Sequence, residues 1–161
     1  MNEMQTVADY LGYAPVNLPE IFDALGIHYE ERPLPPGQSG WIERSDGIYS
    51  VVVNSNEPEV RKRFTAAHEL GHYLLHRDLM EDGSRMNRHT DSLFGGSSPK
   101  SDVLFKPQHE VQANKMAAQI IMPRAIVTKL HEEGKTAAAI AADLQVSQAA
   151  MEIRLSTLGL S

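Results

Sequence analysis

Two short runs with strand character, residues 41–45 and 48–53, stand on either side of Asp46-Gly47, the clearest hairpin signal in the sequence. A two-residue Asp-Gly loop suits the turn whose backbone twist matches two antiparallel strands. The chain is thereby committed to a sheet. Helical patterning flanks it. Upstream, Leu18-Pro19-Glu20 reads as a helix start, Ile21 and Leu25 share one face, and Gly26 is placed to end the helix. Residues 27–31 have strand character, and 33–40 form a loop rich in Pro and Gly. Downstream, Asn54, Ser55 and Asn56 offer caps and Pro58 suits a first turn, so a helix is expected over about 57–76.

Residues 77–107 are polar, carry Gly83, Gly95, Gly96, Pro99 and Pro107, and read as a long irregular excursion. A second strong helix is expected over 108–122, with Pro123 either stopping it or opening the next element. Residues 124–161 read as two or three short helices. No internal repeat is visible. The expected fold is α+β: a small sheet packed on two long helices (residues 1–123), followed by a helical subdomain (residues 124–161) packed on them.

The chain of 161 residues has no cysteine, which excludes disulfides and thiolate metal sites; any zinc must be held by histidine and carboxylate. No basic-then-apolar leader opens the sequence, and no apolar stretch is long enough to span a bilayer, so a cytosolic protein is expected, with no membrane partner. The net charge of −6 weighs against a main role in gripping nucleic acid, where phosphate contacts dominate affinity.

Chemistry is concentrated in His68-Glu69-Leu70-Gly71-His72, an HExxH pattern inside the first long helix. Histidines four apart lie one above the other on a helix, so both imidazoles reach one metal ion. Glu69 projects beside them, placed to take a proton from water in the metal's open position. The bland alternative is an accidental match on a solvated helix, with a chance on the order of one in a few hundred for ordinary residue usage. A zinc with one open position needs a third protein ligand. His76, His89, Asp91, His109 and Glu110 are the candidates. His76 continues the row but lies about 5 Å further along the axis, and a residue favoured by the helix dipole is the preferred reading there. His89 and Asp91 fall in the irregular excursion. Glu110 sits on the second helix with Asn114 one turn on, yet spacing alone leaves it balanced against a solvated residue near a helix start.

Three blocks in order resemble a known family. They are Phe64-Thr65-Ala66-Ala67 leading into His68-Glu69-Leu70-Gly71-His72 with Leu75-His76, then Glu110-Val111-Gln112-Ala113-Asn114, then Met122-Pro123. Together they resemble the ImmA/IrrE bacterial metallopeptidases over roughly residues 18–123. The resemblance implies a zincin-like fold binding one zinc. His68, His72 and Glu110 would be its ligands, Glu69 the general base, and Asn114 the residue steadying a histidine ligand. It further implies proteolysis of a cytosolic protein, such as a helix-turn-helix repressor of a phage or mobile element, or a stress-response regulator. Met116 departs from the family's frequent aromatic residue, and the excursion before Glu110 is somewhat long.

The tail has a helix-turn-helix outline, with Ser147 a good N-cap for its last helix. From Arg124 onward there are four Lys/Arg (124, 129, 135, 154) and four Asp/Glu (132, 133, 143, 152). Without a basic excess, packing of Ile140, Leu144, Met151 and Leu155, or protein contact, is favoured over DNA binding. The sequence thus predicts a zinc metalloendopeptidase. The rival is a non-catalytic regulator that keeps the zincin fold for binding.

Overall fold

A computed structural model describes residues 2–83, 85–89 and 105–161, the stretch 86–89 by its backbone alone. Two short helices, α1 (Glu3–Ala8) and α2 (Leu18–Leu25), open the chain. The Asn17 side chain accepts from the Glu20 amide at 3.1 Å at the start of α2, and Gly26 closes it in the left-handed conformation, φ 73°. Strand β1 (His28–Arg32) follows, then β2 (Gln38–Ser45) and β3 (Ile48–Asn54). Asp46 (φ 52°) and Gly47 (φ 76°) both take positive φ, as the hairpin turn requires. The sheet order is β1-β3-β2-β4, with β1 parallel to β3 and the hairpin antiparallel, pairing Ile42 with Val51 and Ser45 with Ile48.

Strand alternation sorts the hairpin by face. Ile42, Val51 and Val53 join the core with Ala66, Ala67 and Leu70 of the long helix α3 (Glu59–His76). Trp41 and Val52 are buried on the other face, where the guanidinium groups of Arg32 and Arg85 lie 5.1 and 4.2 Å from the Trp41 ring. The ladder between β2 and β4 shifts register between Gln38 and Gly40. A Cβ at Gly40 would stand 2.2 Å from the Val52 carbonyl oxygen, so only glycine fits.

Two expectations are corrected. The helix begins at Glu59 with Pro58 at its cap position, and none of Asn54, Ser55 or Asn56 caps it. Asn54 is drawn away by the loop: its amide nitrogen donates to the Leu34 and Gln38 carbonyls, and its oxygen accepts from the Leu34 and Asn56 amides. The excursion 77–107 is also less irregular than its composition implies. A 3-10 turn (Arg77–Leu79) prolongs α3, and β4 (Arg85–His89) pairs antiparallel with β2 as the outermost of the described strands. Residues 90–104 lie outside the described residues.

Helix α4 (Pro107–Ile121) starts with proline in its first turn, while the His109 ring nitrogen accepts from the Lys106 amide at 2.9 Å. Three shorter helices follow: α5 (Arg124–Glu132), α6 (Ala137–Leu144) and α7 (Gln148–Thr157). Ser147 caps α7 by accepting from the Ala150 amide at 3.1 Å. Ile140, Leu144, Met151 and Leu155 are buried in the same apolar cluster as Leu70, Ile120 and Ile121, so one core runs across the Pro123 junction. Arg154, also buried, donates from Nε to the Met122 carbonyl at 3.0 Å. Among the described residues, no helix is long and apolar enough to cross a membrane.

Candidate metal centre

The site is made where α3 and α4 touch. Leu70, Ala66 and Ala67 turn the apolar side of α3 to the core, and His68, Glu69 and His72 are fully buried with them. Close approach of α4 depends on Gly71. A Cβ there would lie 3.0 Å from the Ala113 carbonyl oxygen and 3.3 Å from the Ala113 Cα. With no side chain at Gly71, the Glu110 carboxylate reaches both histidines. Its Oε1 stands 2.9 Å from His68 Nε2 and 2.7 Å from His72 Nε2, and the two ring nitrogens are 3.1 Å apart. Among the described residues, this is the only group of three metal-ligand types that converges so.

The donor set fits a metal ion. Asn114 Oδ1 lies 2.6 Å from His68 Nδ1, and an amide oxygen only accepts, so the His68 proton sits on Nδ1 and Nε2 is a bare lone pair. A nitrogen lone pair and a carboxylate oxygen turned on the same point repel one another unless a cation lies between them. Ligands of a tetrahedral zinc lie about 3.3 Å apart at ordinary bond lengths, so the triangle needs to open by only a few tenths of an ångström. The chemistry suits zinc, which accepts nitrogen and carboxylate ligands together.

The surroundings constrain the site further. Phe105 stacks on the His72 ring, centroids 3.9 Å apart and planes within 3°. The Glu110 side chain is about one-fifth exposed, so the site meets solvent on the α4 side. His76 Nδ1 is 3.0 Å from His72 Nδ1, and His76 Nε2 is 2.6 Å from Gln112 Oε1. His76 therefore lies behind the ligands rather than among them. His109 also stays outside the ligand triangle; burial, then the charges of His76 and Lys106, hold its imidazole below the ordinary value. For His89 only the backbone in β4 is described, and Asp91 lies outside the described residues.

Sequence reasoning named the five residues His68, Glu69, His72, Glu110 and Asn114; the structure brings His68, His72 and Glu110 together, sets Asn114 against His68, and buries Glu69 next to His68 in α3. It missed the Phe105 cover and the pairing of His76 with Gln112. A signal for the latter was present in the row His68, His72, His76, which repeats every four residues.

An α+β sheet-and-helix domain with a His-His-Glu centre on two crossed helices defines a zincin-like protein. The family model Peptidase_M78, the IrrE N-terminal-like domain, matches residues 22–156, and the chain belongs to that family. The match takes in the described sheet, both site helices and nearly all of the helical tail. Its domain is therefore of the metallopeptidase type. Comparison with curated proteins finds no match.

Proposed function

We propose that this chain is a zinc-dependent endopeptidase that cleaves a regulatory protein in the cytosol. The observation that carries the reading is the convergence of His68, His72 and Glu110 in a buried triangle, with the Glu69 carboxylate buried at the adjoining position of α3. Zinc held by those three residues would polarise the scissile carbonyl and acidify a water molecule. Glu69 is the proton carrier: it takes the proton of the attacking water and returns it to the leaving amine. Asn114 keeps the His68 ring in one tautomer and orientation. Phe105 covers the face of His72 and keeps water from it.

Among the described residues β4 is the outermost strand, and an extended peptide can add to such an edge through main-chain hydrogen bonds. That geometry selects unfolded linkers, so a flexible segment of a helix-turn-helix repressor is a suitable substrate. Residues 124–161 would act as a helical subdomain docked on the catalytic part. Their charge balance and the exposed Ile153 on α7 favour contact with protein over DNA.

The test is incubation of zinc-loaded protein with candidate repressors, with fragments identified by mass spectrometry, beside Glu69→Gln. The variant should stay folded, keep its zinc, and cleave about 10²–10⁴-fold more slowly. Cleavage at the parental rate by a zinc-loaded Glu69→Gln protein would end the general-base assignment.

A further inference from the structure

The geometry points to His76 and Gln112 as positioning residues that set the protonation pattern of His72, and so its ability to bind metal; this inference rests on the metal centre proposed above. Three groups stand in line. Gln112 Oε1 is 2.6 Å from His76 Nε2, and His76 Nδ1 is 3.0 Å from His72 Nδ1. The far nitrogen of His72 faces Glu110 at 2.7 Å. The amide oxygen of Gln112 is an acceptor only, so His76 carries its proton on Nε2. The Nδ1 of a neutral His76 is then a lone pair, and the contact with His72 exists only if His72 Nδ1 supplies the hydrogen. His72 Nε2 is consequently bare, as a metal ligand must be.

The relay has a reverse polarity, and only one direction permits ligation. If Gln112 turned its NH₂ group toward the ring, His76 Nε2 would accept, His76 Nδ1 would donate, and the proton of His72 would move to Nε2. That nitrogen could no longer coordinate. His68 needs no such chain because Asn114 meets its Nδ1 directly at 2.6 Å. The two ligating histidines are thus oriented by different means. Asn114 acts in one step on α4, while Gln112 acts in two steps from the exposed surface of the same helix. His76 itself is buried, 4% exposed, so no water substitutes readily for either contact.

The readout is zinc affinity by competition with a chromophoric chelator, together with ring ¹⁵N shifts of the histidines by NMR. Gln112→Leu lies on the surface and removes the acceptor without touching a ligand; it should weaken zinc binding about 10-fold, at the lower end of the range for loss of such partners. Gln112→Glu, an acceptor in every orientation, should bind at least as tightly as the parent. His76→Phe should weaken binding by a similar or larger factor, and His76→Asn, whose oxygen can stand where Nδ1 stands, should recover most of it. In the His76→Phe background, Gln112→Leu and Gln112→Glu should both have no further effect, which separates a relay from the charge or packing of residue 112. The NMR shifts should show His76 protonated on Nε2. Unchanged affinity in Gln112→Leu, additive losses in the double variant, or His76 protonated on Nδ1 overturns the relay. If His68→Ala with His72→Ala leaves zinc binding undiminished, the metal centre itself fails instead.

Discussion

Gly71 and Ala113 face each other where α3 crosses α4, so closely that a Cβ on the glycine would sit 3.0 Å from the Ala113 carbonyl oxygen. Backbone on the far side cannot rotate away as a side chain tip can. Valine at position 71 should therefore force the helices apart. Overpacking of this kind costs about 1–3 kcal/mol, and the displacement falls on the helix that carries Glu110. Gly71→Val should lower both the denaturation midpoint and zinc affinity. A variant with parental zinc affinity would show that the site does not depend on this approach.

Glu110 and Asn114 make different demands of the same helix. Glu110→Ala removes one of the three converging donors, whereas Asn114→Ala leaves all three and releases only the His68 ring. Loss of a partner behind a ligand reduces metal affinity by about 10–100-fold, and loss of the ligand should cost more. Asn114→Asp, which keeps an acceptor oxygen, should lie close to the parent. Chelator competition on the purified variants ranks them, and Asn114→Ala weaker than Glu110→Ala would reverse the assignment.

Glu3 of α1 pairs with Arg77, just past the end of α3. The hydrogen bond from Arg77 holds the Glu3 carboxyl below its ordinary value of 4.5, against the opposing effect of burial, with Tyr73 adding a second hydrogen bond. Folded Glu3 thus releases its proton more readily than unfolded Glu3. Its stabilisation is complete above the ordinary value and is lost as pH falls through the lower, folded one. Partial exposure limits the gain to at most about 1 kcal/mol. Urea titrations at neutral pH and at a pH below the lowered, folded value of Glu3 should show that Glu3→Gln is less stable than the parent at the first pH and nearly equal to it at the second. An equal deficit at both would remove the ion pair from the account.

The buried Arg154 anchors the tail to the end of α4 through the Met122 carbonyl. Burial lowers its guanidinium affinity for protons, with Arg124 adding to the effect, but arginine remains charged at any working pH. Arg154→Leu would leave that carbonyl unpaired at a helix end, costing about 1–3 kcal/mol. The loss should appear in chemical denaturation, with zinc affinity unaltered because the metal ligands lie toward the other end of α4. A zinc defect in this variant would mean that the tail and the centre are coupled.

Local rules were legible from the residues alone. Asp46-Gly47 demanded positive φ twice, Gly26 a left-handed end, and Ser147 a cap; each is decided by a few neighbouring atoms, and each appears as read. The same holds for His68 and His72, which share a face because helices repeat that way. What the residues left open depended on distant partners. Glu110 lies 42 positions from His68, and apart from the family resemblance its spacing does not distinguish a ligand from a solvated carboxylate until α4 is laid against Gly71. The polar run Arg85–His89 has no strand alternation, and it is a strand because β2 offers it a free edge. Asn54 offers a capping oxygen, but the backbone amides of Leu34 and Asn56 take that oxygen instead. Gln112 is an ordinary surface residue until His76, 36 positions earlier, is brought to within 2.6 Å. Short-range sterics and periodicity thus belong to the sequence by itself, whereas choices among chemically equivalent partners were settled only by the packing of α3 against the sheet and α4.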